Sequence, residues 1–317
     1  MKQRHLKPSL LKIDKSIIGL LLLAVLVLFL PGCTKKEEPQ SLKIGVMSDL
    51  GAAPFIIAKE QGYFEKLGLE LEITVFKSAT DRDTAMQTGN LDGAMADMLT
   101  IVFYNDAALN AKMTSQTFGD YVMVTSPNTT LDALDKVSVG ISSNTVIDFA
   151  TEQIAREAGL SERTELVAIP QMPVRLEMLA AGELSAATLP EPLASAALLG
   201  GGQKVNSTLE MGLRPGVFIM TQTAIDEKAD AIEKLYEGYN QGVDYLNTTD
   251  QADYMGLLIE QLGFPPSLAE SFDFPTLSPA QAADEVTFST VLDWMKTRNL
   301  TTTSYEYKNV TTDAFVK

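Results

Sequence analysis

The stretch KIGVMSDLGAAPFIIAKEQGYFEKLGLELEITVF, residues 43–76, determines which fold class the sequence predicts. Residues 41–47 alternate and are rich in Leu, Ile and Val, which predicts a strand. Residues 53–61 read as a short helix that Gly62 ends, and residues 69–77 predict a second strand. A strand, a helix and a strand in this order indicate a parallel pair joined by a crossover helix.

The same order of elements continues and then starts again. A helix is expected at residues 81–90 and a strand at residues 91–97. The second half predicts a strand, a helix, a strand, a helix and a strand at residues 136–141, 143–160, 164–170, 174–182 and 184–190. The sequence therefore predicts an α/β protein with two lobes of similar plan.

A weak internal repeat links the two halves at an offset of 93 residues. The matched pairs are Arg82 with Arg175, Gly89 with Gly182, Leu91 with Leu184 and Ala94 with Ala187. Two lobes built on one plan would leave such a repeat, although Gly-x-Leu after a helix is common in any protein. The repeat favours a duplicated plan and leaves common ancestry open.

Two strand-like segments separate the halves, and we interpret residues 121–127 and 215–222 as the two crossings of a hinge. Lobe 1 would then comprise residues 42–120 and 223–317, and lobe 2 residues 128–214. Apolar spacing near 3.6 residues predicts that the chain after residue 222 is largely helical. The expected helices, which would pack back on lobe 1, are at residues 224–247, 255–262 and 280–295.

The first 32 residues have the features of a secretory signal peptide. Five basic residues precede the uncharged apolar run 17–30, which is shorter than the roughly 20 residues that a spanning helix needs. Leu30-Pro31-Gly32-Cys33 resembles a bacterial lipobox, although the Pro departs from the usual small residue. We expect lipidation of Cys33 and a flexible tether at residues 33–41. The alternative is an ordinary signal peptide with an incidental Cys.

The composition excludes several classes of function. The only His and the only Cys are His5 and Cys33, so the chain after Cys33 cannot form a Cys/His zinc site or a Ser–His–Asp or Cys–His catalytic site. Without residues 1–32, the chain carries 20 basic and 40 acidic residues, a net charge of −20, which argues against nucleic-acid binding. No cofactor is expected. A carboxylate-only metal site stays open, but no EF-hand pattern occurs.

Three motifs resemble one protein family. They are the run from Ala58 to Phe76, with the pattern AxxxGxFxxxGLx, followed by GNLDGAMAD (89–97) and LPEPLASAA (189–197). In order and spacing they resemble the extracytoplasmic binding proteins for aliphatic sulfonates, taurine, nitrate and thiamine precursors. The similarity spans roughly residues 42–250. Each motif is weak alone, and their combination is strong.

The resemblance implies a type II periplasmic-binding-protein fold, in which each lobe is a mixed, mainly parallel sheet flanked by helices and a two-strand hinge joins the lobes. It also implies a lipid-anchored protein outside the cytoplasm that delivers a small organic solute to an ABC permease and its ATPase. The first alternative is an enzyme of the same fold, such as a pyrimidine synthase or dehydratase, which the lack of His and Cys disfavours. The second is a sensory ectodomain, which would need a signalling domain.

Glu191 lies between Pro190 and Pro192 at the end of a predicted strand. Ligands of parallel sheets bind beyond the carboxyl ends of the strands, so Glu191 is a candidate for the cleft wall of lobe 2. Asp97 and Met98 are the candidates at the matching point of lobe 1. The alternative for Glu191 is that it caps the following helix, whose N-terminus favours an acid. Both interpretations can hold together.

Loops at the other strand ends supply further candidates. Four polar residues before a helix suit an anion, because free backbone N–H groups point out of a helix N-terminus. Simple helix capping is the alternative. The candidate ligand-binding residues in these loops are Ser48, Asp49, Leu50, Ser78, Ser142, Ser143, Asn144, Thr145 and Met172. We expect Arg82 and Arg175 to be solvated or paired with a nearby acid, and Trp294 to be a packing residue.

The candidate residues combine an anion site with carboxylates. If Glu191, Asp97 and Asp49 all face the cleft, the solute should be zwitterionic or amine-bearing, such as taurine or an aminopyrimidine. A simple alkanesulfonate or nitrate would leave these carboxylates uncompensated.

Overall fold

The computed structural model describes residues 40–316, which form two five-stranded sheets. The sheet of lobe 1 has the order β2-β1-β3-β10-β4, and the sheet of lobe 2 has the order β7-β6-β8-β5-β9. The strands are β1 (Gln40–Met47), β2 (Leu69–Phe76), β3 (Gly93–Asp97), β4 (Ala111–Gln116), β5 (Tyr121–Thr125), β6 (Val137–Ile141), β7 (Thr164–Ala168), β8 (Ala186–Pro190), β9 (Lys204–Ser207) and β10 (Gly216–Thr221).

Helices cover these sheets. The described α-helices are α1 (Ala53–Glu60), α2 (Tyr63–Lys66), α3 (Ala79–Gln87), α4 (Met98–Asp106), α5 (Val146–Glu157), α6 (Met172–Ala180), α7 (Leu193–Leu199), α8 (Gln222–Glu227), α9 (Ala229–Thr248), α10 (Met255–Leu262), α11 (Glu285–Thr297) and α12 (Tyr307–Val310). A side-chain oxygen caps five of them, and the capping residues are Ser78, Asp97, Thr145, Thr221 and Asp284. Three of these caps, those of α3, α4 and α5, fix helix starts at strand ends that face the other lobe.

Both sheets are mixed and mainly parallel, as the resemblance implies. In the first sheet β1 pairs in parallel with β2 and β3, whereas β10 is antiparallel to both of its neighbours. In the second sheet β5 is the antiparallel strand in the same position. The two-lobed α/β fold is therefore confirmed, and the two lobes share one strand order.

The structure places the passages between the lobes differently from the predicted crossings. Segments 121–127 and 215–222 contain β5 and β10, which pair inside the sheets of lobe 2 and lobe 1. The chain passes between the sheets just before each of these strands, at residues 117–120 and 208–215. The two segments are apolar because they are central strands. This apolar, strand-like pattern is the basis on which the sequence predicts hinge crossings.

Three other sequence expectations differ in detail. The helix predicted at 143–160 begins at Val146, because Asn144 adopts a left-handed φ of 57° and Thr145 caps the helix. The helix predicted at 224–247 divides into α8 and α9 around Lys228. Of the predicted tether, Gln40 and Ser41 already belong to β1.

The signal peptide and Cys33 lie outside the described residues. Among residues 40–316, no helix is long and apolar enough to cross a membrane.

The two lobes touch across the cleft. The backbone N–H of Leu50 in lobe 1 donates to the carbonyl of Glu191 in lobe 2 at 3.0 Å. The N–H of Met172 in lobe 2 donates to the carbonyl of Lys77 in lobe 1 at 3.3 Å. Buried side chains of both lobes also share continuous apolar clusters. The structure therefore shows a closed arrangement of the lobes.

Candidate ligand-binding site

A cavity of about 40 Å³ lies between the two sheets, where strands of both lobes end. This is the place at which parallel α/β sheets bind ligands. The side chains that line it from lobe 1 and the crossing are Met47, Asp49, Ala79, Arg82, Met95, Ala96, Asp97, Thr117 and Phe118. Those from lobe 2 are Tyr121, Ser142, Thr145, Val146, Ile147, Pro170, Met172, Arg175 and Pro190.

Asp49 is a buried carboxylate at the lobe 1 wall. Its Oδ1 accepts a hydrogen bond from the backbone N–H of Gly51 at 3.0 Å, which caps the single turn Leu50–Ala52. Burial raises its pKa to about 7, and the Gly51 N–H and the charge of Arg82 only partly oppose this shift. Asp49 can therefore bind or release a proton near neutral pH.

Asp97 is held by the start of α4. Its Oδ1 accepts hydrogen bonds from the backbone N–H groups of Leu99 at 3.0 Å and Thr100 at 2.9 Å, and from the Thr100 hydroxyl at 3.1 Å. Burial raises the pKa of Asp97, while the charge of Arg82 and the Thr100 N–H lower it. One oxygen of this carboxylate is thus engaged in capping.

Arg82 reaches the same wall from α3 and is paired. Its Nη2 lies 2.8 Å from Asp83 Oδ1 and 3.0 Å from the Thr100 hydroxyl, and its side chain is only 2% exposed. Burial lowers its pKa, but the charge of Asp83 and other nearby acidic groups outweigh burial, and the net pKa is above the ordinary value. The expected acidic partner is present, but the residue is buried and lines the cavity.

Arg175 enters from lobe 2 and has no acidic partner among the described residues. Nη1 donates to the carbonyl of Ile169 at 2.8 Å, whereas Nε and Nη2 have no hydrogen-bond partner within residues 40–316. The side chain is fully buried, and burial lowers its pKa to about 10. The expectation that Arg175 is solvated or ion-paired is wrong, because the residue after it is Leu176 where Arg82 is followed by Asp83.

The polar loop before α5 contributes two of its four candidates. Ser142 and Thr145 line the cavity, and the Thr145 hydroxyl accepts a hydrogen bond from the N–H of Ile147 at 3.2 Å. Ser143 and Asn144 are exposed and lie outside the cavity lining. Capping and cavity lining therefore coincide at Thr145.

The structure brings together some of the predicted residues and separates others. The candidates that line the cavity are Asp49, Asp97, Ser142, Thr145 and Met172. Those outside its lining are Ser48, Leu50, Ser78, Met98, Ser143, Asn144 and Glu191. Ser48 instead donates to the carbonyl of Leu262, and Ser78 caps α3 through the N–H of Asp81 at 3.3 Å.

The lining also contains thirteen residues that are not among the sequence candidates, and four of these are arginines or aromatic residues, namely Arg82, Phe118, Tyr121 and Arg175. The internal repeat contained a signal for two of them, because Arg82 and Arg175 occupy equivalent positions in the two lobes. No sequence pattern distinguishes Phe118 and Tyr121 from core aromatic residues.

Glu191 has the geometry of the capping alternative. Its Oε2 accepts a hydrogen bond from the backbone N–H of Ser195 at 3.1 Å, in the first turn of α7. Burial raises its pKa, and the Ser195 hydrogen bonds lower it. The carboxylate is directed at a helix N-terminus, while the carbonyl of the same residue binds Leu50 across the cleft.

We therefore expect Glu191→Gln to affect stability and not affinity. Loss of the charge at the N-terminus of α7 should lower the free energy of unfolding by about 0.3–1 kcal/mol. Urea unfolding measures this, and calorimetric titration with the bound solute should give an unchanged Kd. A tenfold to hundredfold loss of affinity would instead return Glu191 to the ligand site.

The raised pKa of Asp49 predicts a pH-dependent stability. Because the pKa is about 7 in the folded protein and 3.8 for an ordinary solvated Asp, the folded state binds the proton more tightly than the unfolded chain. The resulting stabilisation is present below about pH 4 and is lost as the pH rises through 7. Asp49→Asn, which keeps the acceptor for Gly51, should remove this dependence.

The measurement is urea unfolding of both proteins at pH 4.5 and pH 7.5. The stability of the parent relative to Asp49→Asn should fall between these values by more than about 1 kcal/mol, since one unit of pKa shift corresponds to about 1.4 kcal/mol. A difference that does not change with pH would show that Asp49 has an ordinary pKa.

Sequence comparison matches one segment of the chain to a protein family. Residues 35–118 match the NMT1-like family. No relative is found among curated protein sequences. The matched segment contains β1 to β4 and the lobe 1 wall of the cavity.

Structure comparison covers both lobes. The aliphatic sulphonate-binding protein SsuA from Escherichia coli has a TM-score of 0.71 at 16% identity, covering 86% of this chain and 97% of that one. The alkanesulfonate-binding protein SsuA from Xanthomonas axonopodis pv. citri, bound to MOPS, has a TM-score of 0.72 at 17% identity, with coverages of 87% and 99%. The nitrate-binding protein NrtA from Synechocystis PCC 6803 has a TM-score of 0.67 at 14% identity, covering 88% of this chain and 87% of that one.

These matches extend over nearly the whole length of each structure, although the identities are low. They agree with the two-lobed arrangement of the sheets. The chain thus has the two-lobed fold of the solute-binding proteins that its sequence motifs resemble, and its residues 35–118 match the NMT1-like family.

Proposed function

We propose that this chain is the solute-binding protein of an ABC importer and that it captures a small organic anion, of the sulfonate or taurine type, between its lobes. The observation that carries the proposal is Arg175, a buried cation on the cavity wall without a carboxylate partner in the described chain. A buried unpaired charge is costly, and a bound anion would compensate it.

The free atoms of Arg175 favour an oxyanion. Nε and Nη2 lie on the same edge of the guanidinium, and together they form the side-on fork that binds two oxygens of one acidic group. Sulfonate, carboxylate and nitrate present such oxygen pairs. The sulfonate- and nitrate-binding proteins of the same fold support this class of ligand.

The same geometry weighs against the aminopyrimidine alternative. A neutral or cationic ring would leave Arg175 uncompensated. The case for an amine depends on three carboxylates facing the cleft, but Glu191 lies outside the cavity lining and Asp97 caps α4. Asp49 remains at the cavity wall and can accept a hydrogen bond from a ligand amine, so a taurine-like zwitterion stays within the proposed class.

Mass spectrometry of the solute released from protein purified without refolding tests the proposal. Calorimetric titrations with taurine, ethanesulfonate, nitrate and a 4-aminopyrimidine should accompany it. We expect the released molecule to carry a sulfonate or another oxyanionic group, and we expect taurine or ethanesulfonate to bind. Release of a molecule without an oxyanionic group, with binding of the aminopyrimidine alone, would overturn the proposal.

We further propose that the protein is not an enzyme and passes its solute to a membrane permease driven by a separate ATPase. The absence of His and Cys after Cys33 removes the thiolate nucleophile and the imidazole base that many enzymes use at neutral pH. The two lobes populate a closed state that a bound solute stabilises further, and a permease can distinguish this closed state from the open one.

Anchoring at Cys33 completes the proposal and makes a separate prediction. A diacylglyceryl group brings two acyl chains, which hold a protein at a membrane where one chain does not. Cys33→Ser should therefore move the protein into the soluble fraction or leave an uncleaved precursor. Fractionation with palmitate labelling measures this, and an unlabelled parent protein cleaved at another site would contradict it.

A further inference from the structure

A second set of contacts joins the lobes through residues that do not line the cavity. It lies between α5 of lobe 2 and the end of α11, which packs with α4 and α12 on lobe 1. The guanidinium of Arg298 forms ion pairs with Glu152 and with Asp148, the latter at 3.7 Å. The indole Nε1 of Trp294 donates to Glu152 Oε2 at 2.7 Å.

Aromatic packing supports these polar contacts. The rings of Trp294 and Phe149 lie 5.6 Å apart at an angle of 80°, an edge-to-face arrangement. The Arg298 guanidinium lies 5.5 Å from the centre of the Trp294 ring. On lobe 1, the cluster consists of the indole of α11 and the arginine that follows this helix. On lobe 2, it consists of two carboxylates and a phenyl ring of α5.

The cluster is connected to the cavity through α5. Asp148 accepts a hydrogen bond from the backbone N–H of Asn144 at 2.9 Å through its Oδ2, the oxygen that Arg298 approaches. Asn144 lies in the loop between Ser142 and Thr145, and both of these residues line the cavity. The first turn of α5 also lines it, through residues 146 and 147. One carboxylate therefore touches both the contact between the lobes and the loop that would bind the solute.

We propose that Arg298 is an affinity-determining positioning residue, which holds α5 and its cavity-lining loop against lobe 1 without touching the solute. The inference rests on the proposed binding of a solute between the lobes. Because Arg298 and its two carboxylates belong to opposite lobes, their contact forms only when the lobes are closed. The contact therefore stabilises the closed state relative to the open one. The apparent Kd depends on the fraction of the protein that is closed.

The expected effect is moderate. Arg298 is 37% exposed and Glu152 32%, so solvent screens their attraction in part, whereas Asp148 is 2% exposed. Arg298→Ala should raise Kd about three- to tenfold, mainly through faster dissociation of the solute. Relative affinities for different solutes should not change, because Arg298 is not part of the cavity lining.

Arg163 provides a matched control. Its guanidinium has a similar exposure of 31%, and its partners Asp132, Leu131 and Leu134 all lie within lobe 2. Arg163→Ala removes an arginine of the same kind without breaking a contact between lobes. Arg298→Lys keeps the charge but loses the fork, so its effect should be intermediate. This variant replaces Arg298→Ala in the test if the alanine variant folds poorly.

Small-angle scattering without added solute tests closure independently of the ligand's identity. Arg298→Ala should increase the radius of gyration relative to the parent, and Arg163→Ala should not. Titration with taurine then gives Kd, and stopped-flow displacement of taurine gives the dissociation rate, for the same proteins. If neither taurine nor ethanesulfonate binds to any of these proteins, the ligand assignment fails, while the scattering result still decides whether Arg298 closes the lobes.

A double-mutant cycle of Arg298→Ala with Glu152→Gln completes the test. The two changes should be non-additive in their effects on the radius of gyration, because both break the ion pair of Arg298 with Glu152. An unchanged radius for Arg298→Ala and Arg298→Lys, with normal urea stability, would overturn the inference.

Discussion

Arg175→Met is expected to abolish tight binding of an anionic solute while leaving the folded protein as stable as the parent or more stable. The reason is the environment of the guanidinium, which is fully buried and has two nitrogens without partners in the described chain. A hydrogen bond to a charged group contributes about 1.5–3 kcal/mol, so losing the two-pronged contact should weaken binding by at least about a hundredfold.

Stability should change in the opposite sense to binding. The pKa of Arg175 is lowered to about 10 by burial, which means that the folded protein disfavours its charge. Met fills the volume of the aliphatic part, which packs near Gly140, and removes the charge. The cost is the hydrogen bond to the Ile169 carbonyl, worth about 1 kcal/mol.

Titration and urea unfolding of Arg175→Met and Arg175→Lys test this prediction. The lysine variant keeps a charge that cannot form the fork, so it should lose affinity without a gain in stability. Retained affinity in Arg175→Met would place the anion elsewhere and remove the main support for the proposed ligand class. A large loss of stability would show that Arg175 is a structural residue.

The fold could be predicted because its signals are local. The alternation of β1 and β2, the glycine after α1 and the repeated order of elements each follow from a short run of residues. The two passages between lobes could not be predicted in this way. Strands β5 and β10 are apolar in either interpretation, and only their hydrogen-bonded neighbours show that they are central strands.

The sequence predicts some of the residues that line the cavity, and one physical cause explains why it does not predict the others. The sequence pattern favours polar loop residues as ligand-binding residues and predicts that arginines on helices are solvated or paired with a nearby acid. Arg82 and Arg175 lie one turn inside their helices, and their long side chains reach the strand ends from there. Burial of an arginine depends on what packs above the helix, which the sequence does not reveal. Glu191 shows the converse, since a carboxylate at a strand end is engaged by the next helix.

Arg82→Met is expected to destabilise the protein by about 3–5 kcal/mol, the opposite of the result for its counterpart in lobe 2. Arg82 is the cation beside three carboxylates, because it pairs with Asp83 at 2.8 Å and its charge lowers the pKa values of Asp97 and Asp49. Removing it leaves the buried Asp97 and Asp49 without that charge. Their pKa values should then rise further, so the loss of stability should be greatest at alkaline pH, where both are ionised, and smaller in acid, where both are protonated.

Urea unfolding of Arg82→Met and Arg175→Met from acid to alkaline pH makes the comparison within one fold. Equal stabilities of the two variants would contradict the assignment of Arg82 to structure and Arg175 to ligand.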